Sequence, residues 1–203
     1  MNITVLGASG KTGTELVKQS LAAGHNVNGL VRQEGRLEKR PHLNIIFGDA
    51  TNASDIAEAS KNSDVIVSAL GDNSPKSTLM SNTVKAVIAA SKDTGLKRFI
   101  LMSTFGVGKN EFAGGMKLMA GMMKSMFKDK VTSETMLRQS SLDWTIVHPT
   151  VLTDQPEGSG LRVVPEAEKL SLKHKIARAD VAAWILKEIE NNAYVKADVT
   201  ISK

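Results

Sequence analysis

The chain has 203 residues, 41% of them hydrophobic, which is enough to bury one good core, so we expect a single domain over residues 1–203. The formal net charge of +5 suits anionic ligands. No dense Lys/Arg block with interleaved aromatic residues is present, and aromatic residues make up only 4%, so no nucleic-acid partner is expected. The absence of cysteine excludes disulfides, thiol catalysis and cysteine metal sites.

Neither targeting nor metal binding is indicated by the sequence. The first seven residues contain no basic lead-in and no signal-like apolar run, and no uninterrupted apolar segment reaches the roughly 20 residues that span a bilayer. We therefore expect a cytoplasmic protein without a membrane partner. The four histidines, at positions 25, 42, 148 and 174, lack metal-binding spacing, and no metal site is predicted.

Short apolar runs alternate with helical patterns along the chain. Strands are predicted over 3–6, 27–31, 43–47, 64–70, 98–103, 144–148 and 195–201. Helices are predicted over 12–23, 76–94, a stretch ending near 140, and 179–191. This alternation is typical of an α/β fold, a Rossmann-like doubly wound parallel sheet with helices on both faces. The weakly organised stretches 104–115 and 153–175 are expected near the ligand edge, with residues from about 150 onward forming a small substrate-side extension.

The loop after the first strand contains Gly-Lys-Thr, which also occurs in ATP-binding P-loops. A P-loop needs a glycine five positions before the Gly-Lys pair, and Val5 stands there, so the ATP interpretation fails. The stretch instead has the form GxxGxxG, in which Gly7 permits a tight turn, Gly10 admits a pyrophosphate and Gly13 lets the helix pack close to the strand. A purely structural turn is the alternative. The predicted cofactor-binding residues of this loop are Gly7, Ala8, Ser9, Gly10, Lys11, Thr12 and Gly13.

The end of the second strand indicates which dinucleotide is bound. An NAD site usually has Asp or Glu here, accepting a hydrogen bond from the ribose 2′-hydroxyl. This chain has Arg32, with Arg36 one turn later, and Glu34 lies two residues beyond the strand. A guanidinium binds a 2′-phosphate that a carboxylate would repel, so NADP(H) is preferred over NAD(H). A solvated surface arginine is the alternative.

Six motifs carry a resemblance to a known family. They are GASGKTG, GLVR, FGDAT, VIVSALG, RFILMST and LDWTIVHPTVL. Together they resemble an atypical short-chain dehydrogenase/reductase of the NAD(P)H-binding proteins that include the NmrA-like regulators. The longer stretches MSNTVKAVIAASKDTGLKRFI and SETMLRQSSLDWTIVHPTVLTDQP are similar to the biliverdin-IXβ reductase/flavin reductase group. The resemblance runs from residue 2 to about 156 and resumes weakly at IARADVAAW.

The resemblance implies roles for further residues. Asp49 and Ala50 would line the adenine, and the run Ala69, Leu70 and Gly71 would line the adenosine ribose and the pyrophosphate. The residues expected to flank the nicotinamide are Ser103, Thr104, Pro149, Thr150, Val151 and Leu152. His148 is also predicted to be a cofactor-binding residue. Family members often have arginine at this position, so the role of His148 stays open.

The catalytic residues depart from the conventional Tyr-xxx-Lys pair, in which lysine helps tyrosine to donate a proton. Aligning Lys130 with the family's lysine puts Met126 at the tyrosine position, and the chain's single tyrosine is Tyr194. Lys130 would hold ribose hydroxyls or be an exposed structural lysine. Ser103 and Thr104 would orient an acceptor or end a strand. The candidate catalytic residues are Ser103, Thr104 and Lys130.

A missing acid favours an acceptor that delocalises the transferred charge, so the enzyme contributes mainly proximity and orientation. The resemblance therefore implies an NADPH-dependent reductase of a small conjugated acceptor, a flavin or a quinone, with FMN or FAD as candidate substrates. The alternative is a non-catalytic NAD(P)(H) sensor of the NmrA-like kind, with a protein partner. Four methionines recur at helical spacing, at positions 116, 119, 123 and 126. They would form either a buried helix face or an adaptable wall for a flat substrate.

Overall fold

The computed structural model of the protein describes residues 1–72, 74, 76–107, 116–156, 158 and 160–203, and in the helix that begins at Met116 it describes side chains from residue 127 onward. The strands in these residues are β1 (Asn2–Leu6), β2 (Asn26–Val31), β3 (Leu43–Phe47), β4 (Val65–Ser68), β5 (Arg98–Met102), β6 (Asp143–Pro149), β7 (Val151–Thr153), β8 (Arg162–Val163), β9 (Lys175–Ala177) and β10 (Ala197–Ser202). The helices are α1 (Lys11–Ala22), α2 (Ala53–Ala59), α3 (Leu79–Thr94), α4 (Met116–Arg138) and α5 (Arg178–Asn191).

Eight strands form one sheet in the order β3-β2-β1-β4-β5-β6-β10-β8. All its neighbouring pairs are parallel except β10 with β8. Helices α1 and α5 pack against each other, and α3 packs against both α2 and α4. The predicted doubly wound parallel sheet is confirmed.

Strands β4 and β5 at the centre of the sheet are apolar on both sides, because helices cover both faces of the sheet. In β4, Val65 and Val67 belong to the core under α1 and α5, whereas Ile66 belongs to the core under α2, α3 and α4. In β5, Ile100 lies in the first core and Phe99 in the second. This two-sided burial explains why the strands were visible in the sequence as uninterrupted apolar runs.

The polypeptide reverses its winding direction at β1, which has β2 on one side and β4 on the other. At such a point the loops that follow the two strands diverge and leave a crevice at the carboxyl edge of the sheet. The amide of Ala69 donates to the carbonyl of Leu6 at 2.9 Å, which holds the start of the β4 loop against the end of β1. The predicted glycine turn and the run beginning at Ala69 therefore share one edge.

Four short elements were not predicted. Helix α2 has seven residues, too few for a periodic pattern. It is capped by Asn52, whose side chain accepts from the amides of Ser54 and Asp55 at 2.8 and 3.3 Å. Strands β7 and β9 pair in parallel as a separate two-stranded sheet, and β8 pairs with β10. These strands have two or three residues and depend on distant pairing, which local sequence does not reveal.

Several predicted strands and helices are shorter in the structure than expected. Strand β4 ends at Ser68, because the chain turns at Ala69 into the loop beside β1, and α3 begins at Leu79 rather than at 76. The stretch 153–175, expected to be weakly organised, contains β8 and is bounded by β9. Of the stretch 104–115, residues 108–115 lie outside the described part of the chain. Among the described helices, none combines the length and apolar composition that a membrane crossing requires.

Gly13 is the point of closest approach between α1 and the turn after β1. A Cβ built at this position would lie 2.1 Å from the carbonyl oxygen of Gly7, and that oxygen is backbone that cannot swing aside. We expect Gly13→Ala to lower the free energy of unfolding by about 3 kcal/mol, the upper end of the range for overpacking. Urea denaturation measures the loss. Gly71→Ala is the matched control, since a Cβ there meets nothing within 4 Å; equal stability of the two variants would contradict the assignment.

Candidate functional site

The turn after β1 presents the start of a helix to the carboxyl edge of the sheet. Gly7 has a φ of +79°, which favours glycine, and the amide of Gly10 donates to the Gly7 carbonyl at 2.9 Å. The first bond of α1 is from the Thr14 amide to the Gly10 carbonyl at 2.8 Å, so the amides of residues 11–13 precede it. The first turn holds no acidic residue and no side chain caps it. An anion can therefore bind at this helix end.

A cleft of about 240 Å³, the switch-point cleft, opens beside this turn. Its walls come from the loops after β1, β2, β3 and β4, which is the edge where parallel α/β sheets bind ligands. Its lining residues are Gly7, Ser9, Gly10, Leu30, Val31, Arg32, Gly48, Asp49, Ala50, Ala69, Leu70, Gly71 and Leu79. Nine of these were predicted cofactor-binding residues, and the fold brings them together from four separate loops.

Asp49 is fixed on the wall of this cleft by its own neighbours. Its Oδ1 accepts from the amide and the hydroxyl of Thr51, both at 2.8 Å, and its amide donates to Asp55 at 2.7 Å. The two bonds from Thr51 lower the pKa of Asp49, with a smaller contribution from the charge of Arg32. The carboxylate is thus charged and held in one orientation, which shapes the loop after β3.

Beside the cleft lies a second depression, the polar recess, lined by Ser9, Arg32, Gln33 and Arg36. Both arginines are exposed, and Arg36 Nε donates to Gln33 Oε1 at 3.3 Å, which orients the second guanidinium. None of the four lining residues is acidic. Two guanidinium groups and a hydroxyl around one depression make a site suited to a phosphate group.

An ion-pair bridge that sequence reasoning missed joins the glycine turn to the segment after β7. Lys11 Nζ lies 2.6 Å from Asp154 Oδ2, and Arg178 at the start of α5 donates to the other carboxylate oxygen. The hydrogen bond from Lys11 holds the pKa of Asp154 below its usual range, and the charge of Arg178 acts in the same direction. Lys11, a predicted cofactor-binding residue, therefore has a partner within the protein. No spacing in the sequence indicated that Asp154 and Arg178 would lie beside it.

Ser103 belongs to a set of hydrogen-bonded side chains, the serine cluster, formed by the buried Ser103, Glu134 and His148 and by Arg138, which is partly open to solvent. Glu134 Oε1 lies 2.5 Å from Ser103 Oγ and 3.0 Å from His148 Nε2, and Arg138 donates to Glu134 Oε2 at 2.7 Å. Ser103, Glu134 and His148 are 7%, 1% and 1% exposed. The side chain of His148 thus contacts α4 and is not among the residues that line the switch-point cleft.

The loops after β5 and β6 are held side by side at the same edge. The amide of Ser103 donates to the Val147 carbonyl at 2.8 Å, and that of Phe105 to the Pro149 carbonyl at 3.1 Å. Thr150 is buried, with its amide bonded to the Ile201 carbonyl and its hydroxyl to Ser202. Thr104 is partly exposed, and Val151 and Leu152 lie in β7. The residues predicted to flank a nicotinamide ring therefore cluster beyond the ends of β5 and β6.

Lys130 is buried, so the alternative of an exposed structural lysine was wrong. Its Nζ donates to the Asp72 carbonyl at 2.7 Å, which ties α4 to the loop after β4. Burial lowers the pKa of Lys130, against the opposing charges of Asp129, Asp72 and Glu134. Met126 lies one turn earlier in α4, and the side chains of all four spaced methionines lie outside the described residues.

The fold also brings together three side chains whose oxygen and nitrogen atoms could bind a metal ion, although their sequence spacing did not indicate it. Glu134, His148 and Asp198 each place one such atom within 4.8 Å of the others. Arg138 donates to Glu134 at 2.7 Å and to Asp198 at 2.5 Å. A guanidinium between the two carboxylates already supplies the positive charge that a metal ion would bring, so this cluster fits an internal ion-pair network better than a metal centre.

The sequence profile of a family described as NAD(P)H-binding matches residues 7–192. The chain belongs to this NAD(P)H-binding family. It is 28% identical to the UPF0659 protein YMR090W of Saccharomyces cerevisiae over 99% of this chain and 92% of the relative.

Two solved structures are similar to this chain in fold. A short-chain dehydrogenase/reductase of Veillonella parvula in complex with NADP superposes with a TM-score of 0.82 at 20% identity, covering 100% of this chain and 94% of that one. ChuY of Escherichia coli O157:H7, described as an anaerobilin reductase, has a TM-score of 0.82 at 23% identity, covering 99% and 96%. Both comparisons have sequence identities below 25%, and they show that the chain shares the fold of these two proteins.

The glycine turn yields a test that separates binding from folding. At Gly10 a Cβ would lie 3.2 Å from the Gly7 carbonyl oxygen, so the fold accepts a larger residue with a small adjustment. We expect Gly10→Val to keep its circular dichroism spectrum and lose detectable NADPH binding by calorimetry, because the side chain fills space needed by the pyrophosphate. Ala22→Val, at the exposed end of α1, controls for added bulk. Retained affinity in the Gly10 variant would make the turn purely structural.

Proposed function

We propose that the protein is an NADPH-dependent reductase that transfers hydride to a flavin, a quinone or another small conjugated acceptor. The observation that carries the cofactor half of this proposal is the polar recess beside the switch-point cleft. Two arginines and no carboxylate line it, which favours a 2′-phosphate over a free 2′-hydroxyl. Membership of the NAD(P)H-binding family and a similar fold solved with NADP support the same choice.

The residues at the carboxyl edge fit such a dinucleotide from one end to the other. The glycine turn and the start of α1 would hold the pyrophosphate, and the wall containing Asp49 and Ala50 would face the adenine. The far end would lie against Ser103 and Pro149 at the ends of β5 and β6. When bound, the reduced nicotinamide would supply a hydride, and the residues of this chain would bind and orient it.

The catalytic half of the proposal follows from the residues available to move protons. Lys130 gives a hydrogen bond to the Asp72 carbonyl, and Met126 has no exchangeable proton for it to activate. The conventional tyrosine acid for an unactivated ketone is therefore missing. A conjugated acceptor fits this arrangement, because the charge that arrives with the hydride spreads over the ring system. The similar fold of ChuY, described as an anaerobilin reductase, supports a reductase of this kind.

Arg32 should decide between the two dinucleotides. Charge-assisted hydrogen bonds contribute about 1.5–3 kcal/mol each, so Arg32→Ala should weaken NADPH binding about tenfold or more and leave NADH binding nearly unchanged. Fluorescence titration with both cofactors gives the ratio. Arg40→Ala is the matched control, because Arg40 lies on the same loop, pairs with Glu38 and does not line the polar recess. Equal affinity of the unaltered protein for NADPH and NADH would refute the assignment.

The choice of acceptor is tested by comparing substrates that differ in their need for an acid. The conventional tyrosine acid contributes about 10²–10⁴-fold to ketone reduction, so without it turnover of an unactivated ketone should be negligible beside that of FMN or a quinone. Absorbance of NADPH follows both reactions. Brisk reduction of the ketone without turnover of FMN or quinone would contradict the proposal. NADPH binding without consumption by any acceptor would instead indicate a non-catalytic sensor with a protein partner.

A further inference from the structure

The serine cluster contains a carboxylate oxygen that serves two donors at once. Glu134 Oε1 accepts from Ser103 Oγ at 2.5 Å and from His148 Nε2 at 3.0 Å, and a carboxylate has no proton of its own to give. The three side chains come from α4, from the end of β5 and from β6, and all are buried. Hydrogen bonds therefore run without a gap from His148 through Glu134 to Ser103, the residue at the predicted acceptor side.

Other carboxylates near Glu134 share the nearby cations with it. Glu134 and Asp198 share one guanidinium, that of Arg138, which leaves one negative charge to be balanced. Lys130 lies one turn earlier on α4 and donates to the Asp72 carbonyl. Its positive charge interacts with the carboxylates of Asp129 and Asp72 as well as with that of Glu134. The imidazole of His148 contacts the Glu134 oxygen that Ser103 also contacts, whereas Arg138 contacts the other oxygen.

The serine cluster also borders a depression that Ser103 does not line. His148 is among the residues that line this depression of about 220 Å³, the β10 recess. Its other lining residues are Val163, Val164, Pro165, Glu166, Tyr194, Asp198, Val199 and Thr200. The imidazole thus lies between this recess and Glu134, while Ser103 lies at the carboxyl edge beside Thr104. One end of the hydrogen-bonded chain meets a depression and the other meets the candidate active site.

We propose that Ser103, Glu134 and His148 form a proton relay to the acceptor, an inference that rests on the proposed reductase function. The acceptor gains a hydride from the reduced cofactor, and the Ser103 O–H bond breaks as its proton passes to an oxygen or nitrogen of the acceptor. Glu134 returns to Ser103 a proton taken from His148 Nε2, and His148 regains one from solvent in the β10 recess. Each turnover consumes one proton per hydride, which balances the reduction. Ser103 is then a catalytic residue, and Glu134 and His148 act through it.

The relay assigns a class of substrate to the site. Hydride addition leaves an anion on every acceptor, but anions differ in basicity. Reduced FMN is stable as an anion in mildly alkaline solution, whereas a linear tetrapyrrole reduced at a bridging carbon leaves a strongly basic pyrrole nitrogen that must be protonated. A positioned proton donor accelerates the second reaction more than the first. Among conjugated acceptors, the preferred ones are therefore those that take up a proton together with the hydride.

The chain offers a matched control for a purely structural role of Glu134. Glu188 on α5 is equally buried and accepts from Arg98 at 2.6 Å, from Thr145 at 3.2 Å and from the Tyr194 amide at 3.0 Å. It joins its helix to the other face of the same sheet, and no bond connects it with Ser103. Glu134→Gln and Glu188→Gln both remove one buried charge from an Arg-paired carboxylate, so both should lower the melting temperature.

The experiment compares turnover of biliverdin and FMN, with NADPH at saturation, in the unaltered protein and in Glu134→Gln, His148→Gln and Glu188→Gln. We expect the biliverdin-to-FMN ratio of kcat to fall about 10²-fold in the Glu134 and His148 variants, the lower end of the contribution of a proton donor. The solvent deuterium isotope effect and the pH dependence of biliverdin reduction should disappear with it. Glu188→Gln should keep the ratio, and its calorimetric affinity for NADPH should stay within about twofold of that of the unaltered protein.

A readout independent of turnover is the ¹⁵N spectrum of the protein labelled at histidine, which shows the ring nitrogen that carries the proton. The relay requires a proton on His148 Nε2, shared with Glu134; an unprotonated Nε2 would overturn it. So would an unchanged ratio and isotope effect in both relay variants. Failure of the unaltered protein to oxidise NADPH with either acceptor would refute the reductase function itself, a result distinct from either of these.

Discussion

The close approach of α1 to the turn after β1 is the constraint on which the candidate site depends. A side chain at Gly13 would collide with the Gly7 carbonyl, so the helix can begin at Lys11 directly above the end of β1 only because glycine stands there. The start of α1 therefore points into the crevice between the loops that follow β1 and β4. Moving the helix by a few ångströms would separate its free amides from the cleft wall that begins at Ala69.

The other half of the site depends on α4. Its residues reach three different parts of the carboxyl edge: Asp129 accepts from the amides at the start of α3, Lys130 donates to the loop after β4, and Glu134 joins β5 to β6. Because Glu134 and Lys130 are one turn apart, a single face of the helix positions both the β4 loop and Ser103. The absence of a tyrosine on the preceding turn, where Met126 stands, changes the chemistry and leaves this scaffold intact.

The fold was largely predictable because fully buried parallel strands appear in a sequence as short apolar runs, as in Val65–Ser68 and Arg98–Met102. The cofactor half of the site was predictable for a related reason: local spacing places Gly7, Gly10 and Gly13 in one turn and Arg32 at the end of the next strand. Helix α2 was missed because it is short and its clearest signal is the cap formed by Asn52. Strands β7 and β9 were missed because each pairs with a strand more than 20 residues away.

The serine cluster was not predictable in this way, since Glu134 lies 31 residues from Ser103 and 14 from His148. One signal was present: a histidine inside the apolar run TIVHP must find a polar partner when the strand is buried. For Lys130 the sequence left an exposed alternative open, because a lysine in a polar helical stretch is usually solvated; the structure buries it and ties it to the loop after β4.

The central claim, that the protein transfers hydride from NADPH to a conjugated acceptor, is tested most directly with NADPH that carries deuterium at the transferred position of the nicotinamide. The account predicts slower consumption of the labelled cofactor in the presence of FMN or biliverdin, and deuterium bound to carbon in the reduced biliverdin. Saturable binding of NADPH with no consumption, or consumption at the same rate with and without an acceptor, would contradict it.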